Sequence, residues 1–239
     1  RQILNTIWLC VRYCYVSAAV GSGADAVDTS DLLEPTVESA TYNDTLYALP
    51  QNTNGQLLYR NTDMVKEEPQ KWDDVVEACK KVENQDCLTT QLKQYEGLTV
   101  NTAGFMAGWG GGLTSEDATP TVTSRESQAG LQAMVDAYKD GTISSASTGA
   151  TEEETNLSFT QGDTAMAINW PYMYATSEEE GSAVKGKVEV SPLVGKDGVG
   201  VSTLGGYNNG INTHSENKAT ARDFIEFVIS EESQMGFAE

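Results

Sequence analysis

The stretch that most constrains this chain runs from Phe159 to Tyr174, FTQGDTAMAINWPYMY. Gly162-Asp163 is a turn signal, Thr164 to Ile168 is an apolar run of strand length, and Asn169-Trp170-Pro171-Tyr172 stops that strand abruptly. A strand ending in Trp, Pro and Tyr presents flat rings at its carboxyl end. Ligands of α/β domains sit in the crevice beyond the carboxyl ends of the strands, so these rings are candidate walls of a binding site. The competing reading is core packing at a strand terminus, and the stretch alone does not separate the two.

Strands and helices alternate around it. Leu46 to Leu49 reads as a short strand entering Pro50, Gln51 to Asn54 as a polar loop, and Gln56 to Arg60 as a strand followed by a turn of helix that Pro69 ends. In KWDDVVEACKKV, the residues Trp72, Val75, Val76, Cys79 and Val82 recur at helical spacing, and Lys80 and Lys81 suit the dipole of the last turn. Thr89 to Gln94 reads as a strand. Tyr95 to Leu98 opens a helix that carries Phe105 and Met106 and ends at Trp109 and Gly110 to Gly112. A second amphipathic helix spans about Ser124 to Tyr138, with Ser124 as its N-cap, and Glu152 to Glu154 begin another that ends near Phe159. Val188 to Leu193 is a strand broken by Pro192, and Asn209 to Asn212 a short strand. Ser215 then caps a helix with Ala219, Phe224, Phe227 and Val228 on its apolar face, and Glu231 to Phe237 starts the last helix. Residues 1 to 30, with Cys10 and Cys14 inside the apolar run Ile3 to Val20, fit a strand and helix but are poorly patterned. The alternation argues for an α/β class.

Composition removes several classes of function. The 239 residues allow one large or two ordinary domains, and 39 % hydrophobic content is enough for a core. Lys plus Arg number 15 and Asp plus Glu 35, a net charge of −20, which repels phosphate backbones and argues against nucleic acid as a partner. No run of about 18 consecutive apolar residues exists to span a bilayer, Arg12 interrupting the largely apolar Ile3 to Val20. Cys79 and Cys87 bracket the polar loop KKVENQD. A disulfide is the favoured reading there, adding about 2.5 kcal/mol in an oxidising compartment. A metal site is disfavoured, because His214 is the only histidine and no CxxC pair exists.

Catalytic signatures are missing: there is no GxSxG elbow, no GxxxxGK[ST] loop, no HExxH and no GxGxxG opening a helix after a strand. Two of the 35 acids could still form a glycosidase pair. What the chain offers is aromatic residues near amide and glycine clusters: Asn52 and Asn54, Tyr95 and Glu96, Trp109, Asn169 to Tyr172, and Gly205 to Tyr207 with Asn208. Sugars combine an apolar CH face with many hydroxyls, so flat rings beside amides and carboxylates suit them.

Four segments resemble a known family, the extracellular carbohydrate-binding proteins of ABC-type sugar importers, of the maltose- and trehalose-binding type. YALPQNTNGQLLYRNTDMVKEEPQKWDDVVEACKK resembles the crossing of a short strand into the second lobe, and QYEGLTVNTAGFMAGWGGG the helix beside the ligand. FTQGDTAMAINWPYMY is similar to the family's gate strand and aromatic wall, and VSTLGGYNNGINTHSENKATARDFIEFVISEESQ to the return to the first lobe. The resemblance covers about Tyr42 to Phe237 and implies a two-lobe, type II periplasmic-binding-protein-like α/β fold. Members of the family are longer, so it implies an incomplete first lobe: residues 1–50 as its partial beginning, 51–191 as the second lobe, and 192–239 as the return, with later helices missing.

Carried over by residue, the resemblance implies that Asn52 and Asn54 line the site, Glu96 accepts sugar hydroxyls, Trp170 and Tyr172 stack on rings, and Gly205 and Gly206 bring backbone amides close. Trp109 and Tyr207 join them as candidates. It also implies a monomer without cofactor, metal or catalysis, outside the cell or in the periplasm, lipid-anchored at full length, and delivering a disaccharide or short oligosaccharide to a permease. Two alternatives stand beside it. A glycosidase would use Glu96 and another carboxylate, and a binding protein for a peptide or polyamine would need carboxylates at its site, where Glu96 is the one candidate.

Overall fold

The computed structural model describes residues 27–115 and 117–238. The stretch from Ile3 to Val20, with Cys10 and Cys14, lies outside the described residues. In chain order the elements are α1 (Glu34–Ser39), β1 (Thr41–Tyr42), β2 (Thr45–Leu46), β3 (Ala48–Asn54), β4 (Leu57–Asn61), α2 (Trp72–Cys79), β5 (Asp86–Thr89), α3 (Glu96–Gly108), α4 (Arg125–Asp140), a 3-10 turn (Ser145–Gly149), α5 (Glu152–Thr160), β6 (Thr164–Asn169), α6 (Tyr172–Ser177), β7 (Val188–Ser191), β8 (Gly205–Gly210), α7 (Lys218–Ile229) and α8 (Glu231–Ala238). They form two compact units. One comprises the described residues up to Thr53 with those from Leu204 onward, and the other runs from Asn54 to Thr203.

The larger unit is built on a four-stranded sheet in the order β5-β6-β4-β7. β6 is parallel to β5 and antiparallel to β4, which pairs antiparallel with β7. All six residues of β6 are buried, as an apolar run covered on both faces should be. Alternation along the strands then divides the core in two. Leu58, Met166 and Ile168 face a cluster with Trp72, Val75, Leu88, Phe105 and Met134 from α2, β5, α3 and α4. Tyr59 and Ala167 face a smaller cluster with Phe159, Met173 and Val184 from α5, α6 and the following loop. A disulfide joins Cys79 at the end of α2 to Cys87 in β5.

The smaller unit pairs β3 with β8 and buries Leu49, Ile211 and Ile225. α7 turns Ile225 and Val228 inward. Phe224 and Phe227, read from the sequence as its apolar face, are instead 62 % and 63 % exposed.

Five further expectations are corrected. Gln51 to Asn54 is not a loop but the second half of β3, unseen because that half of the ribbon carries polar residues that bond across the pair: Thr53 Oγ1 donates to the Gly205 carbonyl at 3.1 Å and Asn209 Nδ2 to Gln51 Oε1 at 3.1 Å. The strand placed at Thr89 to Gln94 lies earlier, at Asp86–Thr89, because Thr90 and Gln91 are buried in a side-chain network rather than a ladder. The segment before Pro69 makes a turn at 62–64 and no helix. β8 begins at Gly205, ahead of the expected Asn209, and α7 begins at Lys218 behind Asn217 rather than Ser215. Among the described residues no helix is long and apolar enough to cross a membrane.

Candidate functional site

β6 delivers its rings through Asn169. This amide is fully buried; its Nδ2 donates to the Glu152 carbonyl at 3.1 Å, and its Oδ1 accepts the Trp170 N–H at 2.9 Å. That ties the end of the strand to the first turn of α5. The Trp170 carbonyl accepts the Tyr59 hydroxyl at 2.9 Å, and the half-buried indole turns its Nε1 to Glu152 Oε1 at 3.4 Å. Pro171 then starts α6, a helix the sequence reading did not foresee, which leaves Tyr172 39 % exposed at its first position. Burial, followed by the nearby Glu153 charge, raises the Tyr172 phenol above its ordinary pKa.

The second contribution comes from the start of α3. Tyr95 caps the helix in extended conformation and donates its hydroxyl to Glu152 Oε2 at 2.8 Å. Burial and then this bond to a carboxylate raise the phenol's pKa, so it remains a donor at neutral pH. Glu96 follows in the first turn, exposed to solvent. The Tyr95-Glu96 corner and the Trp170-Tyr172 wall, 57 and 18 positions from Glu152 respectively at their bonded residues, therefore meet on one carboxylate. The sequence reading used Glu152 only as a helix start. The signal that could have drawn attention to it was its place as the first of three acids beside a cap, which by itself says only that a helix begins there.

Beneath the wall lies a buried polar floor. Gln91 Nε2 donates to the Ile168 carbonyl at 2.8 Å, one residue before Asn169, and Gln91 Oε1 accepts from Gln56 Nε2 at 3.0 Å. Asn101 Nδ2, from α3, donates to the Gln91 carbonyl at 3.0 Å, and Asn101 Oδ1 accepts the Thr90 hydroxyl at 2.6 Å. Gln56, Thr90, Gln91 and Asn101 are all buried.

The other candidates are placed differently. Trp109, half-buried, stacks on Phe105 at 5.8 Å between ring centroids and meets Trp72 edge-on at 6.1 Å, which engages its ring in the core of the larger unit. Asn54 is half-buried at the end of β3. Asn52, Gly205, Gly206 and Tyr207 belong to the smaller unit. There Asn52 Oδ1 accepts the Tyr207 N–H at 3.0 Å, and Tyr207 is 71 % exposed. Gly206 has φ +132°, and a Cβ on it would stand 2.2 Å from the Asn52 carbonyl oxygen, so β3 and β8 can approach only with glycine there. Among the described residues no group of His, Cys, Asp or Glu could hold a metal ion.

Tyr59 offers a test of how the wall is anchored. Burial pushes its phenol up to about 12, so the folded protein keeps a proton that the unfolded chain releases near pH 10. The native state binds more protons in that window, and stability falls as pH rises from about 10 to 12. In Tyr59→Phe that decline should flatten in urea unfolding measured across the same window; an unchanged slope would assign the decline to other groups.

An α/β fold with rings, carboxylates and amides gathered at strand ends agrees with three similarities. A probable ABC transporter-binding protein of Deinococcus radiodurans is 29 % identical over 217 residues, covering 83 % of this chain and 50 % of that protein. This chain thus spans about half the length of the curated relative it matches. The structure of maltose-bound T. maritima MalE3 superposes with a TM-score of 0.77 at 33 % identity, over 84 % of this chain and 55 % of that one. An ABC transporter solute-binding protein of Thermotoga lettingae bound to α-D-tagatose shares the fold, with a TM-score of 0.77 at 24 % identity over 87 % and 56 % of the two chains. The fold is that of the periplasmic-binding-protein-like sugar-binding proteins, matched over part of their length. The family model for bacterial extracellular solute-binding proteins matches residues 12–239, and the chain belongs to that family.

Proposed function

We propose that this chain captures a disaccharide or short oligosaccharide and delivers it to the permease of an ABC importer, performing no chemistry on it. The observation that carries the reading is the wall of the larger unit, where Trp170 and the exposed Tyr172 lie beside Glu152 and the Tyr95-Glu96 corner. Rings stack on the CH face of a sugar while the Glu96 carboxylate accepts its hydroxyls. Maltose in the T. maritima relative at 33 % identity supports the ligand class. Asn52, Asn54, Gly205, Gly206 and Tyr207 take part as further contacts in this reading, as does Trp109 with whatever part of its ring the core leaves open. Action as a monomer outside the cell membrane, held by a lipid anchor, completes it.

The test is titration of the full-length protein with maltose, trehalose and related sugars, followed by tryptophan fluorescence. Saturable binding is expected, with the sugar recovered unchanged. Silence toward all of them would remove the reading, and turnover of a chromogenic glycoside that Glu96→Gln abolishes would replace it with a glycosidase. Within the series, Tyr172→Ala should weaken binding by about 1 to 3 kcal/mol while leaving the unfolding midpoint in place, because the ring is 39 % exposed at the first position of α6 and belongs to neither core cluster. Unchanged affinity would return the stretch to core packing.

A further inference from the structure

We infer that Glu152 is a positioning residue: its carboxylate holds the Tyr95-Glu96 corner and the Trp170 ring in one fixed arrangement, so that sugar affinity depends on it without its charge touching the sugar. The inference rests on the sugar-binding reading above and adds to it a residue and a mechanism.

Three observations carry it. Both carboxylate oxygens are engaged by groups of the wall, Oε2 by the Tyr95 hydroxyl at 2.8 Å and Oε1 by the Trp170 indole at 3.4 Å. The Glu152 backbone is itself fixed, since its carbonyl accepts Asn169 Nδ2 at 3.1 Å from a fully buried amide. The Tyr95 ring, finally, reaches Glu152 only by passing over Gly97, where an added Cβ would stand 2.2 Å from the hydroxyl oxygen and 2.4 Å from Cζ. The helix start is therefore shaped to let this ring through. With a donor of the protein on each oxygen, the carboxylate's orientation is set by the wall, and the rings it holds are the groups that stack. Fixing those rings beforehand removes their ordering cost from binding.

Two routes break the arrangement independently. Glu152→Ala removes the carboxylate. Gly97→Ala leaves the carboxylate and places a better helix former in α3, yet its methyl displaces the Tyr95 hydroxyl. Glu152→Gln keeps an oxygen to accept from Trp170 and an amide to donate to the Tyr95 oxygen. In the full-length protein titrated with maltose, Glu152→Ala and Gly97→Ala should each raise the Kd by about 10- to 50-fold. Combining them should cost about as much as the larger single loss, because both act through one bond network. Glu152→Gln should stay within about threefold of wild type.

A readout without sugar separates this inference from the binding reading. In the unliganded protein, the emission of Trp170, taken as the difference from the same variants carrying Trp170→Phe, should shift and become easier to quench by acrylamide in Glu152→Ala. Gly97→Ala should shift it in the same direction, and Glu152→Gln should not. Wild-type emission and quenching in Glu152→Ala would overturn the positioning role, whether or not maltose binds. Loss of affinity in Glu152→Gln equal to that in Glu152→Ala would also overturn it, by showing that the charge meets the ligand. Absence of maltose binding in wild type, with the emission shifts present, would instead count against the ligand and leave the role standing.

Discussion

Asn101→Leu is expected to lower the unfolding free energy by about 3 to 4 kcal/mol, although leucine keeps the branched outline of the side chain it replaces. The cost comes from what is stranded. Asn101 is 3 % exposed, and its amide serves the Gln91 carbonyl at 3.0 Å while accepting the Thr90 hydroxyl at 2.6 Å. Leucine leaves both groups buried without that partner, at about 1 to 3 kcal/mol each. Gln91 Oε1 keeps its bond from Gln56, so the network weakens rather than vanishes. Urea unfolding should show a lower midpoint at an unchanged slope. Sugar affinity should fall as well, since Gln91 also holds the Ile168 carbonyl just ahead of Asn169 and Trp170. A loss below about 1 kcal/mol would mean that Thr90 and Gln91 find other partners, and the floor would then not be the support described.

That network also shows why the sequence was legible in some places and opaque in others. The helices at Trp72–Cys79 and Arg125–Asp140 announce themselves by apolar period, and Ser124 accepts from the Ser127 N–H at 3.1 Å, as an N-cap should; Glu96–Gly108 and Glu152–Thr160 show little period and are marked by acids in the first turn. β6 announces itself by an unbroken apolar run between a turn and a proline. Gln91 and Asn101 carry no such mark, because a buried amide looks like a loop amide until its partners are in place. The same holds for β3, where Gln51 to Asn54 read as a loop since polar residues there serve a ribbon rather than a core.

The candidate wall was legible for a local reason, and its cross-links were not. Trp170-Pro171-Tyr172 is a contiguous signal at a strand end. Glu152 bonds partners 57 and 18 positions away, which no spacing argument reaches. Trp109 shows what spacing omits: a tryptophan beside a glycine run reads as a ligand platform, and its ring also meets Phe105 and Trp72 of the core.

Phe159→Ala should be the other severe substitution, costing about 3 to 5 kcal/mol. Phe159 is fully buried on the second face of the sheet, in a cluster with only Tyr59, Ala167, Met173 and Val184 as buried members, and it meets Tyr59 edge-on at 6.1 Å. So small a cluster has few side chains able to move into the space an alanine leaves, which puts the cost toward the upper end of the range. Tyr59 holds the Trp170 carbonyl and Met173 is the buried anchor of α6, so the wall loosens with the core. The contrast with Tyr172→Ala is the informative part. Tyr172→Ala should lower affinity at constant stability, whereas Phe159→Ala should lower stability strongly and affinity through displacement of Trp170. Phe159→Leu, which refills most of the volume, should recover both together. Loss of stability in Phe159→Ala with affinity unchanged would separate the small cluster from the binding wall and place the anchoring of Trp170 in Asn169 and Glu152 alone.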